Sequence, residues 1–193
     1  MNDESNFNND ITHCITHLRE ELLILYPTDT VWGIGCDAQS EVAINKIIDL
    51  KNRPGSKSSI ILVASFNDIS NFAKPPSLAM LDFANKSEKP VTFILKDAKN
   101  LASQLISEDG TVAIRVPDDP FCRELLLKFG KPIVSTSANI SGDITPGQFK
   151  EISIPILEGV DYIVQFGQTN NVEKSGSRII TEDADGIIKV IRD

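Results

Sequence analysis

Eight short apolar, β-branched runs punctuate the chain: ELLILYP, SSIILVA, PVTFIL, TVAIRVP, KPIVST, DYIVQF, SRIIT and GIIKVIR. Each has the length of a sheet strand, and none approaches the roughly 20 apolar residues needed to span a bilayer. Between them lie helical patterns over about residues 8–20, 40–51, 67–73, 77–86 and 118–129. Strands interleaved with helices predict an α/β fold: a single-domain, twisted open mixed sheet with flanking helices. The last three runs have little helix between them and predict antiparallel pairing at that end, so the sheet is not purely doubly wound. A chain of 193 residues without repeats or linkers suits one domain, read as residues 9–193 after a flexible stretch, residues 1–8.

Charge and composition narrow the function. The net charge is -8, with 41% hydrophobic and 24% charged residues, which disfavours a protein that coats nucleic acid through its whole surface. The densest basic cluster is Lys46, Lys51, Arg53 and Lys57. The opening residues MNDESNFNND lack a cationic and apolar leader, so a cytoplasmic location is expected. Cys14, Cys36 and Cys122 are odd in number, far apart and without C-x-x-C spacing, and read as reduced structural thiols. His13 and His17 are the only histidines. Their spacing of four would suit a metal on a helix, but no third ligand is close in sequence, and no protein-side metal ligand is assigned. Without a histidine after His17, Ser-His-Asp and Cys-His hydrolysis are disfavoured.

Polar groups end several of the apolar runs, where ligands of open α/β sheets bind. ELLILYP runs into Thr28, Asp29 and Thr30, followed by Trp32, Gly33 and Gly35. TVAIRVP carries Arg115 on the face opposite Val112, Ile114 and Val116. KPIV leads into Ser135, Ser137 and Asn139, whose spacing of two puts them on one side of an extended chain. KSGSRII sets Ser175 and Ser177 before a strand. After the cap candidate Ser40, a stripe of Ile44, Ile47 and Ile48 ends in Lys51 at its i+7 position, and Pro54 stops the helix. Singly, each of these also reads as a cap, a turn or a strand-end ion pair. Together they supply hydroxyls, an amide and the cations Lys51, Arg53 and Arg115, an inventory suited to binding phosphate and carboxylate and to catalysis by charge stabilisation and positioning. No Walker A or G-x-G-x-x-G motif is present.

YPTDTVWGIGCDA, the LKNRP stretch with Lys51-x-Arg53, AIRVPDDP and KPIVSTSANISG resemble, in order and spacing, the YrdC family of threonylcarbamoyl-adenylate synthases, over about Tyr26 to Arg192. The resemblance implies a YrdC-like fold and a reaction of L-threonine, bicarbonate and ATP, with Mg²⁺, giving threonylcarbamoyl-AMP and pyrophosphate. The product would feed a separate complex that modifies the adenosine beside the anticodon of tRNA. Carried over, Lys51 and Arg53 are the catalytic pair and hold phosphate or carboxylate oxygens. Thr28, Trp32 and Arg115 belong to the threonine and bicarbonate side, with Trp32 where the family more often has tyrosine or phenylalanine. Ser135, Ser137, Asn139, Ser177 and Arg192 belong to the nucleotide side. GSKSSIILV departs from the Lys-Pro-Leu often found after the Lys-x-Arg motif. Glycine-bearing segments at Gly142 to Gly147 and Val172 to Gly176 are candidate lids. An alternative is a double-stranded RNA or tRNA binding module of the same fold, using the Lys46 to Lys57 cluster without turnover. A third reading, carbamoyl-adenylate formation from carbamoyl phosphate, lacks the zinc-finger spacing that accompanies it in hydrogenase maturation proteins.

Overall fold

The computed structural model describes residues 7–52, 59–170 and 175–193. In chain order the strands are β1 (Ile24–Tyr26), β2 (Gly33–Gly35), β3 (Ile60–Leu62), β4 (Val91–Leu95), β5 (Val112–Arg115), β6 (Ile133–Ser137), β7 (Tyr162–Ile163), β8 (Arg178–Glu182) and β9 (Ile188–Arg192). The helices are α1 (Asn8–Arg19), α2 (Glu41–Leu50), α3 (Leu78–Lys86), α4 (Pro120–Phe129) and α5 (Ile154–Gly159). The described strands form one sheet in the order β7-β1-β2-β6-β3-β5-β4-β8-β9. Pairs β1/β7, β3/β5 and β4/β8 are parallel and the rest antiparallel, so the sheet is mixed, as the interleaved pattern predicts.

Local sequence chemistry sets the helix ends. Ser40 accepts from the Ala43 N–H at 3.1 Å and starts α2, whose Ala43, Ile44 and Ile47 are buried. Asp119 caps α4 through the Cys122 N–H at 2.9 Å, Pro120 takes the first turn, and Gly130 at φ 75° ends the helix in the left-handed conformation. Helix α1 buries Ile11, Cys14 and Leu18, and Phe7 just before it packs edge-on against Phe121 and Phe166. Asp10, itself buried, accepts from Tyr162 Oη (2.5 Å) and from the Gln165 and Phe166 N–H groups, which ties α1 to β7. His13 stacks on the Tyr162 ring and His17 packs against it at a tilt, each with centroids 5.2 Å away. All three cysteines are free and buried.

The structure departs from the sequence expectations at four places. Strand β2 was not expected, because Gly-Ile-Gly carries little strand propensity. It exists because Tyr26 lies across it: a Cβ on Gly35 would sit 2.6 Å from Tyr26 Cε1, and one on Gly33 3.0 Å from Ser135 Oγ. The expected antiparallel trio at the C-terminal end is reduced to β8/β9, while DYIVQF supplies β7 at the opposite edge, parallel to β1. The segment read as a helix over residues 67–73 is a 3-10 turn, Phe66–Asn71. Helix α5 was unforeseen; Gly159 lets it approach α2, since a Cβ there would fall 2.2 Å from Leu50 Cδ1. The helix stop assigned to Pro54 and most of the flexible stretch, residues 1–8, lie outside the described residues.

Candidate active site

Register places the polar residues on one face of the sheet. Partners directly opposite in a ladder share a face, and so do residues two apart in a strand. Tyr26 pairs with Gly33, Gly33 with Ser137, Ser135 with Ile60, and Ile60 with Ala113, two residues before Arg115. Thr92 lies opposite Ile179, and Ile179 opposite Arg192. The other face carries Leu25, Ile34, Val134, Ile61, Ile114, Phe93 and Ile180, all buried. A cavity of about 470 Å³ opens on the polar face, lined among others by Thr30, Lys51, Arg115, Ser135, Ser137, Asn139, Ser177 and Arg192. The site therefore lies across strands β2, β6, β3, β5, β8 and β9 rather than only beyond their carboxyl ends.

Lys51 caps the end of α2 and is 3% exposed. Its Nζ donates to Ser137 O at 2.5 Å and to Asn139 O at 2.6 Å, and its own carbonyl accepts from the Ser141 N–H at 3.0 Å. The inward stripe of α2 thus delivers a cation to the exit of β6; the i+7 position predicts an inward-facing lysine but not where it ends. Ser135 and Ser137 share the cavity face. Asn139 follows the end of β6 and turns its Nδ2 to Ile140 O and Asp143 O, both at 2.9 Å, while its Oδ1 is buried without a hydrogen-bond partner. It shapes the loop that brings Ser141, Gly142 and Thr145 to the cavity.

Across the cavity, Arg115 is 2% exposed and Arg192 converges on it. Burial, and second the charge of Arg115, lower the Arg192 pKa below its ordinary value. Two guanidiniums that repel one another in a hydroxyl-lined hollow make a site for anions. Arg192 reaches it because β9 carries a bulge: Val190 opposes Ile180 but Arg192, not Ile191, opposes Ile179. It donates to Ser177 O through Nη2 at 2.9 Å and Nε at 3.2 Å, and the buried Ser177 hydroxyl shares a 2.7 Å hydrogen bond with Thr92.

Two sequence candidates sit outside this lining. Thr28 is buried behind Thr30, its Oγ1 2.9 Å from Thr30 Oγ1 and 2.8 Å from Val31 O. Trp32 packs on Phe149, centroids 4.9 Å apart. Arg53, Lys57 and residues 172–174 of one candidate lid lie outside the described residues. Sequence reading missed the partners of Arg115: Asp29, which forms a buried ion pair with it, and Thr30. The available signal was an acid between two threonines directly after a strand. It also missed Ser59 and Thr145 on the lining. Of the basic cluster, Lys46 is tied to Glu21 O at 2.9 Å and Lys51 is buried in the cavity.

Comparison with known proteins places this geometry. The sequence profile of the Sua5/YciO/YrdC family, described as "Telomere recombination", matches residues 16–193. A threonylcarbamoyl-AMP synthase of Pseudoalteromonas translucida is 32% identical over 178 residues, covering 91% of this chain and 93% of that protein. The same-named protein of Psychromonas ingrahamii is 38% identical over 135 residues, 68% of this chain and 71% of the relative. Among solved structures, P. abyssi Sua5 complexed with L-threonine superposes with a TM-score of 0.80 at 25% identity, over 94% of this chain and 53% of that one. E. coli YciO superposes with a TM-score of 0.81 at 24% identity, over 96% and 89%, and bears on the fold alone. By its sequence over nearly the whole length, this chain belongs to the Sua5/YciO/YrdC family.

Proposed function

We propose that the protein is an L-threonylcarbamoyladenylate synthase, a nucleotidyltransferase that condenses L-threonine, bicarbonate and ATP into threonylcarbamoyl-AMP and pyrophosphate. The observation that carries this reading is the convergence of Lys51, Arg115 and Arg192 on one cavity floored by Ser135, Ser137 and Ser177. The threonine complex of the Sua5 relative and the naming of the bacterial relatives support it.

The chemistry asks little proton transfer of the protein. Threonine's amine and bicarbonate combine to a carbamate with loss of water; a carbamate oxygen then bonds to the α-phosphorus of ATP, and the bond to the leaving pyrophosphate breaks. Because the nucleophile is already an anion, no histidine base is needed. What is needed is alignment of two anions that repel, and cations that gain contact as charge shifts to pyrophosphate. Arg115 is assigned to the carboxylate of threonine, and Arg192 with Ser177 to the nucleotide. Lys51 takes phosphate oxygens at the mouth of α2, together with Arg53. Ser135 and Ser137 orient the substrates, and Asn139 shapes the loop beside the nucleotide. Thr28 and Trp32 act from behind the lining, Thr28 through Thr30. Enclosure by the loop Ser141 to Thr145 protects a mixed anhydride that water would hydrolyse.

Mg²⁺ accompanies ATP as the counterion of its phosphates and supplies charge neutralisation there. Cavity donors are hydroxyls, carbonyls and Asp193, which already pairs with Arg178 at 2.7 Å. ATP's phosphate oxygens would be ligands to the ion; among the described residues no three His, Cys, Asp or Glu side chains come together. The product is passed to a threonylcarbamoyl-transfer complex acting on tRNA. A cytoplasmic location belongs to the same reading; no described helix is long and apolar enough to cross a membrane.

Pyrophosphate release with ATP and Mg²⁺, leaving out threonine or bicarbonate in turn, tests the proposal. Signal should vanish on either omission and in a Ser137→Ala protein that remains folded. Turnover indifferent to threonine would refute it. An RNA-binding module would instead show salt-dependent RNA affinity, unchanged in Ser137→Ala, and no turnover.

A further inference from the structure

The group that governs Arg115 is the carboxylate just after β1. Arg115 Nη1 donates to Asp29 Oδ1 in a pair whose side chains are 2% and 9% exposed. The second oxygen, Oδ2, accepts from the Asp118 N–H at 3.3 Å, so one carboxylate joins the turn after β1 to the exit of β5. The other guanidinium arm, Nη2, donates to Thr30 Oγ1 at 3.3 Å. Thr30 is fixed in turn: its N–H donates to Thr28 Oγ1 at 3.0 Å, and the two hydroxyls are 2.9 Å apart. Since the Thr28 proton goes to Val31 O, the Thr30 hydroxyl donates to Thr28 and keeps a lone pair for Arg115. Both arms of Arg115 are thereby pinned, while its buried Nε lacks a partner.

From this we infer that Asp29 is a positioning residue for the reaction: it pins Arg115 and balances its charge, so that a carboxylate is held in one orientation rather than any anion being trapped. The inference rests on the synthase reading. Without Asp29, Arg115 would lose the carboxylate it is paired with while still facing Arg192, and phosphate or sulfate would compete for the site. A pinned guanidinium offers a fixed donor pattern, and a mobile one offers only charge.

Steady-state kinetics of Asp29→Asn, which preserves shape and removes charge, tests this. The half-saturating threonine concentration should rise roughly tenfold or more, with that for ATP changed less than about threefold and inhibition by inorganic phosphate strengthened. Asp29→Glu should recover part of the threonine dependence. Thr30→Val, which leaves the ion pair in place, should raise the threonine requirement by a smaller factor and serves if Asp29→Asn fails to fold. An unchanged threonine requirement, or equal rises for threonine and ATP, would overturn the inference. Guanidinium nitrogen NMR decides the pinning without turnover: Arg115, identified by its loss in Arg115→Lys, should show separate, slowly rotating arms in the parent protein and averaged arms in Asp29→Asn. Should the parent release no pyrophosphate, the synthase reading falls while the spectra still answer for Asp29. Identical spectra in parent and variant would contradict the pinning.

Discussion

Lys51 shows how one residue can link a helix, a strand and a site. Its stem extends the apolar stripe of α2, and its ammonium is held by the carbonyls of Ser137 and Asn139. Lys51→Met keeps the stem and removes the charge, and should lower the rate of pyrophosphate release about a hundredfold, the range seen when a group that stabilises transition-state charge is lost. Circular dichroism should show the fold retained, with a lower melting temperature because two carbonyls lose their partner. The cysteines make the opposite case. Burial raises the thiol pKa of Cys14, Cys36 and Cys122 well above the ordinary value, so at pH 8 all three stay protonated. A thiol-reactive dye should label none of them in the native protein and all of them in denaturant.

At the scale of elements, what was legible in the sequence follows from how local the cause is. Asp119, Pro120 and Gly130 set the ends of α4 in the structure; in the sequence helix α2 announces itself through Ser40 and α4 through its helical pattern, causes that reach only a turn or two away. Strand β2 does not, because its cause is the ring of Tyr26 on a neighbouring strand. Gly35→Ala should therefore be costly: the new methyl would also lie 3.0 Å from Val134 O, and overpacking of this kind costs about 1–3 kcal/mol. Gly130→Ala, which has open space around it but φ 75°, should cost about 1 kcal/mol by thermal unfolding. The β8/β9 turn offers a pH test. Asp183 accepts from the Ile187 and Asp185 N–H groups and pairs with Lys189, which holds its pKa below the ordinary carboxylate value. A lowered folded-state pKa gives stability that is complete above the unfolded value near 4 and is lost as pH falls through the folded one. Asp183→Asn should flatten the acid limb of the melting curve below about pH 4.

Over the whole molecule the site is a consequence of ladder register. Ser135, Ser137, Arg115 and Ser177 were readable as polar residues at strand ends, and alternation within each strand put them on a common face; Arg192 came only with the family resemblance and joins that face through the β9 bulge. Their meeting was not readable, because strand order depends on contacts between residues as distant as Thr92 and Ser177. Thr28 and Trp32 fall behind the lining for a different reason: the chain leaves the sheet between β1 and β2, where alternation no longer applies, and the turn brings Thr30 rather than Thr28 to the cavity. Asp29 was visible as a residue and invisible as a partner, for its ion pair spans 86 positions.

In the proposed reaction one cavity joins threonine, the bicarbonate carbon and adenylate in a single product. Incubation with ATP, L-threonine and ¹³C-bicarbonate, followed by mass spectrometry of the nucleotides, tests that directly. The predicted result is an adenylate carrying both threonine and the heavy carbon, formed by the parent protein and depleted in Lys51→Met. An adenylate lacking either component, or equal amounts from parent and variant, would contradict it.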